Sequence, residues 1–457
     1  MAREIRLNAF DMNCVGHIQH GLWTHPRDRS GDYTSLEYWV NLARTLEAGL
    51  FDGLFLADIL GVYDVYGGNA DMALREAVQV PVNDPLLLVP AMAYATTHLG
   101  FGVTCNLTYE APYVFARRMS TLDHLTKGRI GWNIVTGYLD SAARGMGLDR
   151  QPAHDGRYDA ADEYLDVLYK LWEGSWEDGA VKRDRAARVY TDPARVHRVT
   201  HQGAHYKVDA IHLSEPSLQR TPLLYQAGAS ARGQRFAATH AECVFVNGLE
   251  RPLVAKQVAG LRAEAATLGR GREDIKVFVG ASVVVAPTAA QAAEKFAEYR
   301  HYASSEAGLA HFSASTGIDF ARYAPDEPIG MVKTEANVSN VQAITTRSAA
   351  GVWTRDKLIA QMVLGSRQAP IVGDAAQVAD ALIAWMDEAD VDGFNLSRTV
   401  MPECVEDFIR LVVPELQARG RFKTEYAAGT LREKLFASGP RLPSRHRGAA
   451  ARVVTAE

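Results

Sequence analysis

The run Gln226-Ala227-Gly228-Ala229-Ser230-Ala231-Arg232-Gly233 follows a short apolar stretch and opens a helical one. Gly228 lets a ligand come close to the backbone. The first helical N–H groups, with the Ser230 hydroxyl and the Arg232 guanidinium, make a receptor for an anionic phosphate. A plain serine cap on a helix is the other reading. A second polar group, His154-Asp155-Gly156-Arg157-Tyr158, stands just before a strongly periodic segment. Its imidazole and phenol would complete a phosphate site, or Asp155 would simply start the helix. Asp58 ends the apolar run Leu54-Phe55-Leu56-Ala57, where a carboxylate is costly unless hydrogen-bonded, so it serves either a loop or a ligand. Beyond the first apolar run, Asn13-Cys14-Val15-Gly16-His17 leads into His20, Trp23 and His25. A metal could use that thiol and those imidazoles, but neither an HExxH nor a tight Cys/His pair supports one. His201 and His205, with Gly203 between them, read as surface residues of an insertion. No GxGxxG follows a strand, and there is no GxxxxGK[ST] and no GxSxG, which disfavours a dinucleotide held in the standard motif, a nucleotide P-loop and an α/β-hydrolase.

Short β-rich apolar runs alternate with helical segments, the pattern of a parallel sheet built from βα units. The expected strands are Ile5 to Phe10, Gly53 to Ala57, Gly100 to Asn106, Arg129 to Val135, Pro222 to Gln226, Glu242 to Val246, Lys276 to Val285 and Gly393 to Ser397. Helices are expected near 35–49, 86–97, 113–126, 159–173, 231–240, 251–268, 288–303, 375–389 and 404–418. This predicts an α/β protein, a TIM-type (β/α)₈ barrel, with an open doubly wound sheet as the alternative. One barrel domain over 1–457 is expected, with loop insertions about 60–84, 175–220 and 304–372 and a tail about 421–457 that wraps the surface. The longest apolar stretch, Pro85 to Ala95, contains Pro90, is too short to span a bilayer and reads as a core helix. In a barrel the carboxyl ends of the strands face the site. That rule selects Asn8 to His17, Asp58, Thr104 to Asn106, Asn133 to Tyr138 and Ala227 to Arg232.

With 457 residues, 47% hydrophobic and 23% charged, and 49 Lys plus Arg against 54 Asp plus Glu, the chain has a globular profile and a formal charge of -5. It contains no run of five or six like charges, so neither a nucleic acid nor a membrane surface is an expected partner. Met1 to Leu7 carries no apolar h-region, and a cytoplasmic location is expected. The four cysteines, Cys14, Cys105, Cys243 and Cys404, form no CxxC and are expected as free thiols.

Read together, several segments resemble the bacterial luciferase-like flavin monooxygenases, in the branch of the nitrilotriacetate, dibenzothiophene-sulfone, dimethyl-sulfide and long-chain-alkane monooxygenases. They are Asn8 to His17, Phe51 to Asp58, Val80 to Pro85, Arg117 to Arg129, Trp132 to Thr136, Tyr169 to Asp178 and Pro222 to Gly228. The likeness runs over roughly residues 4 to 440. It implies a barrel that takes reduced FMN from a separate NAD(P)H:flavin reductase, with no metal, and assembles as a homodimer or homotetramer. It implies that Asp58, Thr104, Asn133, Thr136 and Gly137 lie against the isoalloxazine or ribityl chain. His154, Tyr158, Ala229, Ser230 and Arg232 would hold the phosphate. Cys14, His17, Tyr63, Gln79, Tyr138 and His311 would act in catalysis. Tyr138 stands where the alkane enzymes have a histidine, and a phenol near pH 10 cannot copy an imidazole's acid-base role.

The chemistry implied is oxygen transfer through a flavin C4a-(hydro)peroxide kept from water by a dry pocket, with the insertion near 304–372 as a lid. The substrate expected is a long-chain alkane or a similar apolar molecule. The alternatives are a thioether of the dimethyl-sulfide type, to which Val352-Trp353-Thr354-Arg355-Asp356 points, and a non-catalytic flavin-binding barrel.

Overall fold

The computed structural model describes residues 3–228, 230–248, 250–329, 353–362, 364 and 370–453. Eight parallel strands close on themselves: β1 (Arg6–Met12), β2 (Gly53–Ala57), β3 (Gly100–Asn106), β4 (Ile130–Val135), β5 (Leu223–Gln226), β6 (Cys243–Val246), β7 (Lys276–Val285) and β8 (Gly393–Ser397). Each pairs with the next in chain order, and β8 returns to β1 with Asn395 opposite Asn8. The sheet is a barrel and not an open, doubly wound one. Every expected strand is present within two residues of its expected ends.

Alternation along these strands divides the core in two. Outward residues meet the helical layer, as where Trp132 of β4 packs on Phe115 with ring centroids 4.6 Å apart. Inward aromatics fill the barrel: Phe55 lies 4.4 Å from Phe245 and 5.5 Å from Tyr225, with Phe10 and Phe278 beside them. The interior below the mouth is therefore a packed plug.

The helices that position the site are α1 (Leu36–Ala48), α2 (Val89–Tyr94), α3 (Pro112–Thr126), α4 (His154–Tyr169), α5 (Ala231–His240), α6 (Arg251–Thr267), α7 (Ala289–Tyr302), α8 (Ser305–Thr316) and α9 (Ala375–Ala389). Helix α8 has no counterpart among the expected helices, and two further segments differ from expectation. Helix α4 starts at His154, five residues before the expected 159, because the polar His154-Asp155-Gly156-Arg157 turn hides its periodicity. The apolar stretch from Pro85 is not wholly core, since Leu87 and Tyr94 are exposed.

The tail is in part a floor and, from Arg441 on, a wrap over the outer helices, where Arg441, Arg447 and Arg452 pair with Asp178, Asp166 and Glu173. Leu431 and Leu435 join the aromatic plug from the amino end of the barrel, and Arg432 is fully buried. Arg432 donates from Nε and Nη2 to the Glu242 carboxylate at 2.7 and 2.9 Å and from Nη2 to the carbonyls of Thr221 and Pro222. Apolar residues in a tail that looks polar and basic by composition are what carry it inside.

The insertions have distinct shapes. Residues 60–84 fold back on the loop after β1, with bridges from Cys14 to Val82 and from Gly16 to Val78. The second insertion makes two antiparallel hairpins, Val181–Asp184 with Val189–Thr191 and Val199–Gln202 with Lys207–Ala210. His201 and His205 sit on the latter. His205 is exposed, whereas His201 is half-buried and bonds Glu163 at 3.1 Å. The third insertion contributes α8 and a helix at Arg355–Met362. Residues 330–352, 363 and 365–369 of the expected lid lie outside the described residues.

Candidate active site at the barrel mouth

The expected residues gather at the carboxyl ends of consecutive strands, β1 through β5, in three groups. On β3 and β4, Thr104 and Asn133 face each other in register, and Asn133 Nδ2 donates to Thr104 Oγ1 at 2.9 Å. The Oδ1 atom of Asn133 is buried with no hydrogen-bond partner among the described residues, an open acceptor inside the barrel. Just past β4, the Thr136 carbonyl accepts from Thr108 Oγ1 at 2.8 Å. Gly137 turns the chain there at φ 74, a left-handed value that favours glycine, and a Cβ would meet Asn106 Nδ2 at 2.5 Å. Asp58 follows β2, and burial, helped by the Asp84 charge, pushes its carboxyl up to about 7.

The second group forms where two helix starts converge. Helices α4 and α5 both begin at the mouth, so their positive ends meet. His154 is the first residue of α4, and Ser230 caps α5 by accepting from the Gly233 N–H at 3.0 Å. Ser230 Oγ and His154 Nε2 are 3.5 Å apart, while His154 Nδ1 meets Asp155 at 2.8 Å. Helix α4 has no side-chain cap, and Asp155 does not start it. Tyr158, one turn on, places its hydroxyl against the Gly228–Gly233 backbone. A Cβ on Gly228 would come within 2.8 Å of that hydroxyl and 2.9 Å of Gly233 Cα, which requires glycine there. Ala229 lies outside the described residues.

Arg232 departs from expectation. Its Nη2 donates to Asp159 and Asp162 of α4 at 2.9 and 2.5 Å, and its guanidinium lies 5.4 Å from the centre of the Tyr158 ring. It braces Tyr158 from behind, its charge already matched by two carboxylates. Arg157 was passed over by sequence reasoning. It is buried at the start of α4, donates to the Pro152 carbonyl at 2.6 Å, and with Arg232 opposes the burial that raises the Tyr158 phenol. Its only sequence signal was adjacency to Tyr158.

The third group is a buried set of hydroxyls and imidazoles. The Tyr63 hydroxyl donates to Gln79 Oε1 and stands 3.0 Å from the Tyr138 hydroxyl. The Tyr63 ring stacks on His311 of α8, with centroids 5.2 Å apart and planes at 12°. Gln79 holds a left-handed backbone, φ 57, and its N–H reaches the Gly16 carbonyl at 3.1 Å, which ties this group to the Cys14–His17 loop. His17 is buried edge-on to Phe10 at 4.6 Å. The Cys14 thiol is buried and contacts the Gly16 carbonyl, and burial pushes it up to about 12, so it stays protonated. The loop is gripped from outside the barrel by Arg398, whose Nη2 donates to the Cys14 and Val15 carbonyls at 3.0 and 2.5 Å while Nη1 pairs with Asp11 at 3.1 Å. Sequence reasoning took in Asp11 only as one residue of the run Asn8 to His17, and picked out neither Arg398 nor His20 as a partner of His311.

Two converging helix starts, an open acceptor within the barrel and a buried cluster of hydroxyls and imidazoles are suited to binding a phosphate-bearing planar group and passing protons beside it. Comparison with known proteins agrees. The family described as luciferase-like monooxygenase matches residues 17–392. Long-chain alkane monooxygenase of Geobacillus thermodenitrificans is 49% identical over 447 residues, 98% of this chain and 97% of that one. Dimethyl-sulfide monooxygenase of Hyphomicrobium sulfonivorans is 48% identical over 447 residues, 98% of this chain and 93% of that one. A crystal structure of riboflavin lyase with modified FMN and riboflavin superposes with a TM-score of 0.93 at 38% identity, covering 99% of this chain and 100% of that one.

Proposed function

We propose, from the premise that this chain belongs to the luciferase-like monooxygenase family, that it is the oxygenase component of a two-component system. In this reading a separate NAD(P)H:flavin reductase supplies reduced FMN, and the substrate is a small apolar molecule, a long-chain alkane first. The observation that carries the reading is the meeting of two helix starts at Ser230 and His154, beside the Thr104–Asn133 pair.

The residues fit the cofactor. Converging N–H groups, the Ser230 hydroxyl and the Tyr158 phenol suit a phosphate, and the unmatched Asn133 Oδ1 suits a ring N–H. We assign the phosphate to His154, Tyr158 and Ser230, and the isoalloxazine and ribityl chain to Asp58, Thr104, Asn133, Thr136 and Gly137. Arg232 is assigned to bracing Tyr158. Bound there, reduced FMN supplies the electrons that activate O2.

The chain's own part is to position, to keep water out and to hold protons. The packed aromatic floor closes the barrel below, and α8 brings His311 over the mouth. Tyr63 and Tyr138 offer hydroxyl protons at one point, with Gln79 fixing the Tyr63 hydroxyl. Cys14 contributes a neutral thiol at the Gly16 carbonyl, which the Gln79 N–H also reaches. One barrel domain with its three insertions, a homodimeric or homotetrameric assembly and a cytoplasmic location complete the reading. Among the described residues no helix is long and apolar enough to cross a membrane.

A thioether is the second reading. The dimethyl-sulfide relative matches this chain over as many residues, 447, as the alkane relative. A phenol at Tyr138 satisfies oxygen transfer to soft sulfur, which demands less than an unactivated C–H bond. The test is turnover with a generic flavin reductase, reduced FMN and O2, offering a long-chain alkane and dimethyl sulfide separately. Terminal alcohol from the alkane supports the first reading. Oxidation of the sulfide alone moves the assignment to the second, and peroxide without either product refutes both.

A further inference from the structure

His20 has no role in the reading above, yet it is buried against a residue that does. It lies in the loop after β1, and its Nε2 stands 2.9 Å from Nδ1 of His311, the rings edge to face at 83°. The Ser304 N–H donates to the His20 carbonyl at 2.9 Å, which fixes the loop to the start of α8. The other ring nitrogen, His20 Nδ1, is buried with no hydrogen-bond partner among the described residues, and a Cβ on Gly16 would lie only 3.6 Å from it.

Two neutral imidazoles can share this bond in two ways. If His311 donates from Nδ1, His20 must accept at Nε2 and carry its own proton on Nδ1, leaving a buried N–H with no acceptor. If His20 donates from Nε2, the unpartnered Nδ1 is a bare lone pair. An orphaned buried donor is rarer and costlier than an orphaned acceptor, so the second arrangement wins. His20 itself stays uncharged: burial, with Arg398 adding to it, pushes it down to about 3.

We propose that His20 is a positioning residue that donates from Nε2 to His311 Nδ1 and so fixes His311 as the neutral tautomer with its proton on Nε2. His311 then meets the rest of the mouth as a hydrogen-bond donor and not as a base. The catalytic consequence rests on the function proposed above; the tautomer itself does not.

The experiment uses the flavin-free protein with isotope-labelled histidine ring nitrogens, and the His311 signals are assigned by their loss in His311→Gln. The expected spectrum shows a protonated Nε2 and a bare, hydrogen-bonded Nδ1 on His311, with a through-bond coupling from that Nδ1 to a second imidazole nitrogen. A protonated Nδ1 on His311, or no such coupling, overturns the proposal, and the wild-type spectrum decides even if every His20 variant misfolds. A second measurement compares product formed per NADH in His20→Gln, which keeps a donor, and His20→Leu, which does not. The glutamine variant should hold its yield and the leucine variant lose about tenfold, with FMN affinity unchanged in both. Equal yields overturn the positioning role. Absence of product in the wild type, with the spectrum as expected, overturns the proposed function and leaves the tautomer standing.

Discussion

Ser230 Oγ and His154 Nε2 stand 3.5 Å apart across 76 residues of chain, and through them the first turns of two helices face one point at the barrel mouth. Removing both hydroxyls assigned above to the phosphate, Ser230→Ala with Tyr158→Phe, should weaken FMN binding by about tenfold or more while the circular dichroism spectrum stays that of the wild type. Quenching of flavin fluorescence gives the affinity. Unchanged affinity would place the phosphate elsewhere.

Asp58 predicts a pH effect. Its carboxyl rises from an ordinary 3.8 to about 7, chiefly by burial and secondly by the Asp84 charge. Between those values the folded chain holds a proton that the unfolded chain releases, so stability falls as pH rises through the window. Asp58→Asn abolishes that loss. Its Tm advantage over the wild type, measured without flavin, should widen by roughly 2 °C or more from about pH 4 to about pH 8. A gap that stays flat or narrows means that Asp58 is not buried as an acid.

The eight strands were legible because their inward and outward residues are both apolar, giving short continuous β-rich runs bounded by polar turns. The junction of the two helix starts was legible from Gly228 and Ser230, whose types are set by close approach and capping. Arg232 was read as an anion receptor because a guanidinium stands beside a helix start. Its pairing with Asp159 and Asp162, three apart on one face of α4, was not legible, because it depends on how α4 and α5 pack. Arg398 was hidden for the same reason: its partners Asp11 and the Cys14 and Val15 carbonyls lie more than 380 residues away along the chain. The tail's buried residues, among them Phe422, Leu431, Arg432, Leu435, Leu442 and His446, are scattered among exposed polar ones and do not show as a core pattern.

The Asp11–Arg398 pair should behave as a buried ion pair that also holds the Cys14 loop. Burial pushes Asp11 up to about 6 even with Arg398 beside it. Arg398→Met strands that carboxyl and both carbonyls, and should cost about 3–5 kcal/mol in urea unfolding. Asp11→Leu combined with Arg398→Met should recover a large part of the loss. A single variant as stable as the wild type would show that the pair contributes nothing.

Tyr63 and Tyr138 share one hydroxyl contact, and their effects should not add. Tyr63→Phe and Tyr138→Phe should each divert turnover from product to free peroxide. The double variant should differ from the sum of the singles by about 0.5–3 kcal/mol of coupling in product-forming kcat/KM. Strict additivity would mean that the two hydroxyls act separately.

The central claim is that this barrel transfers one oxygen atom from O2 to an apolar molecule. Its most direct test is turnover under isotopically heavy O2 with reductase-supplied reduced FMN and a panel of alkanes, thioethers, sulfones and aminopolycarboxylates, read by mass. The expected result is one heavy oxygen atom in the product of an alkane or thioether. Heavy peroxide as the sole product, whatever the substrate, contradicts it.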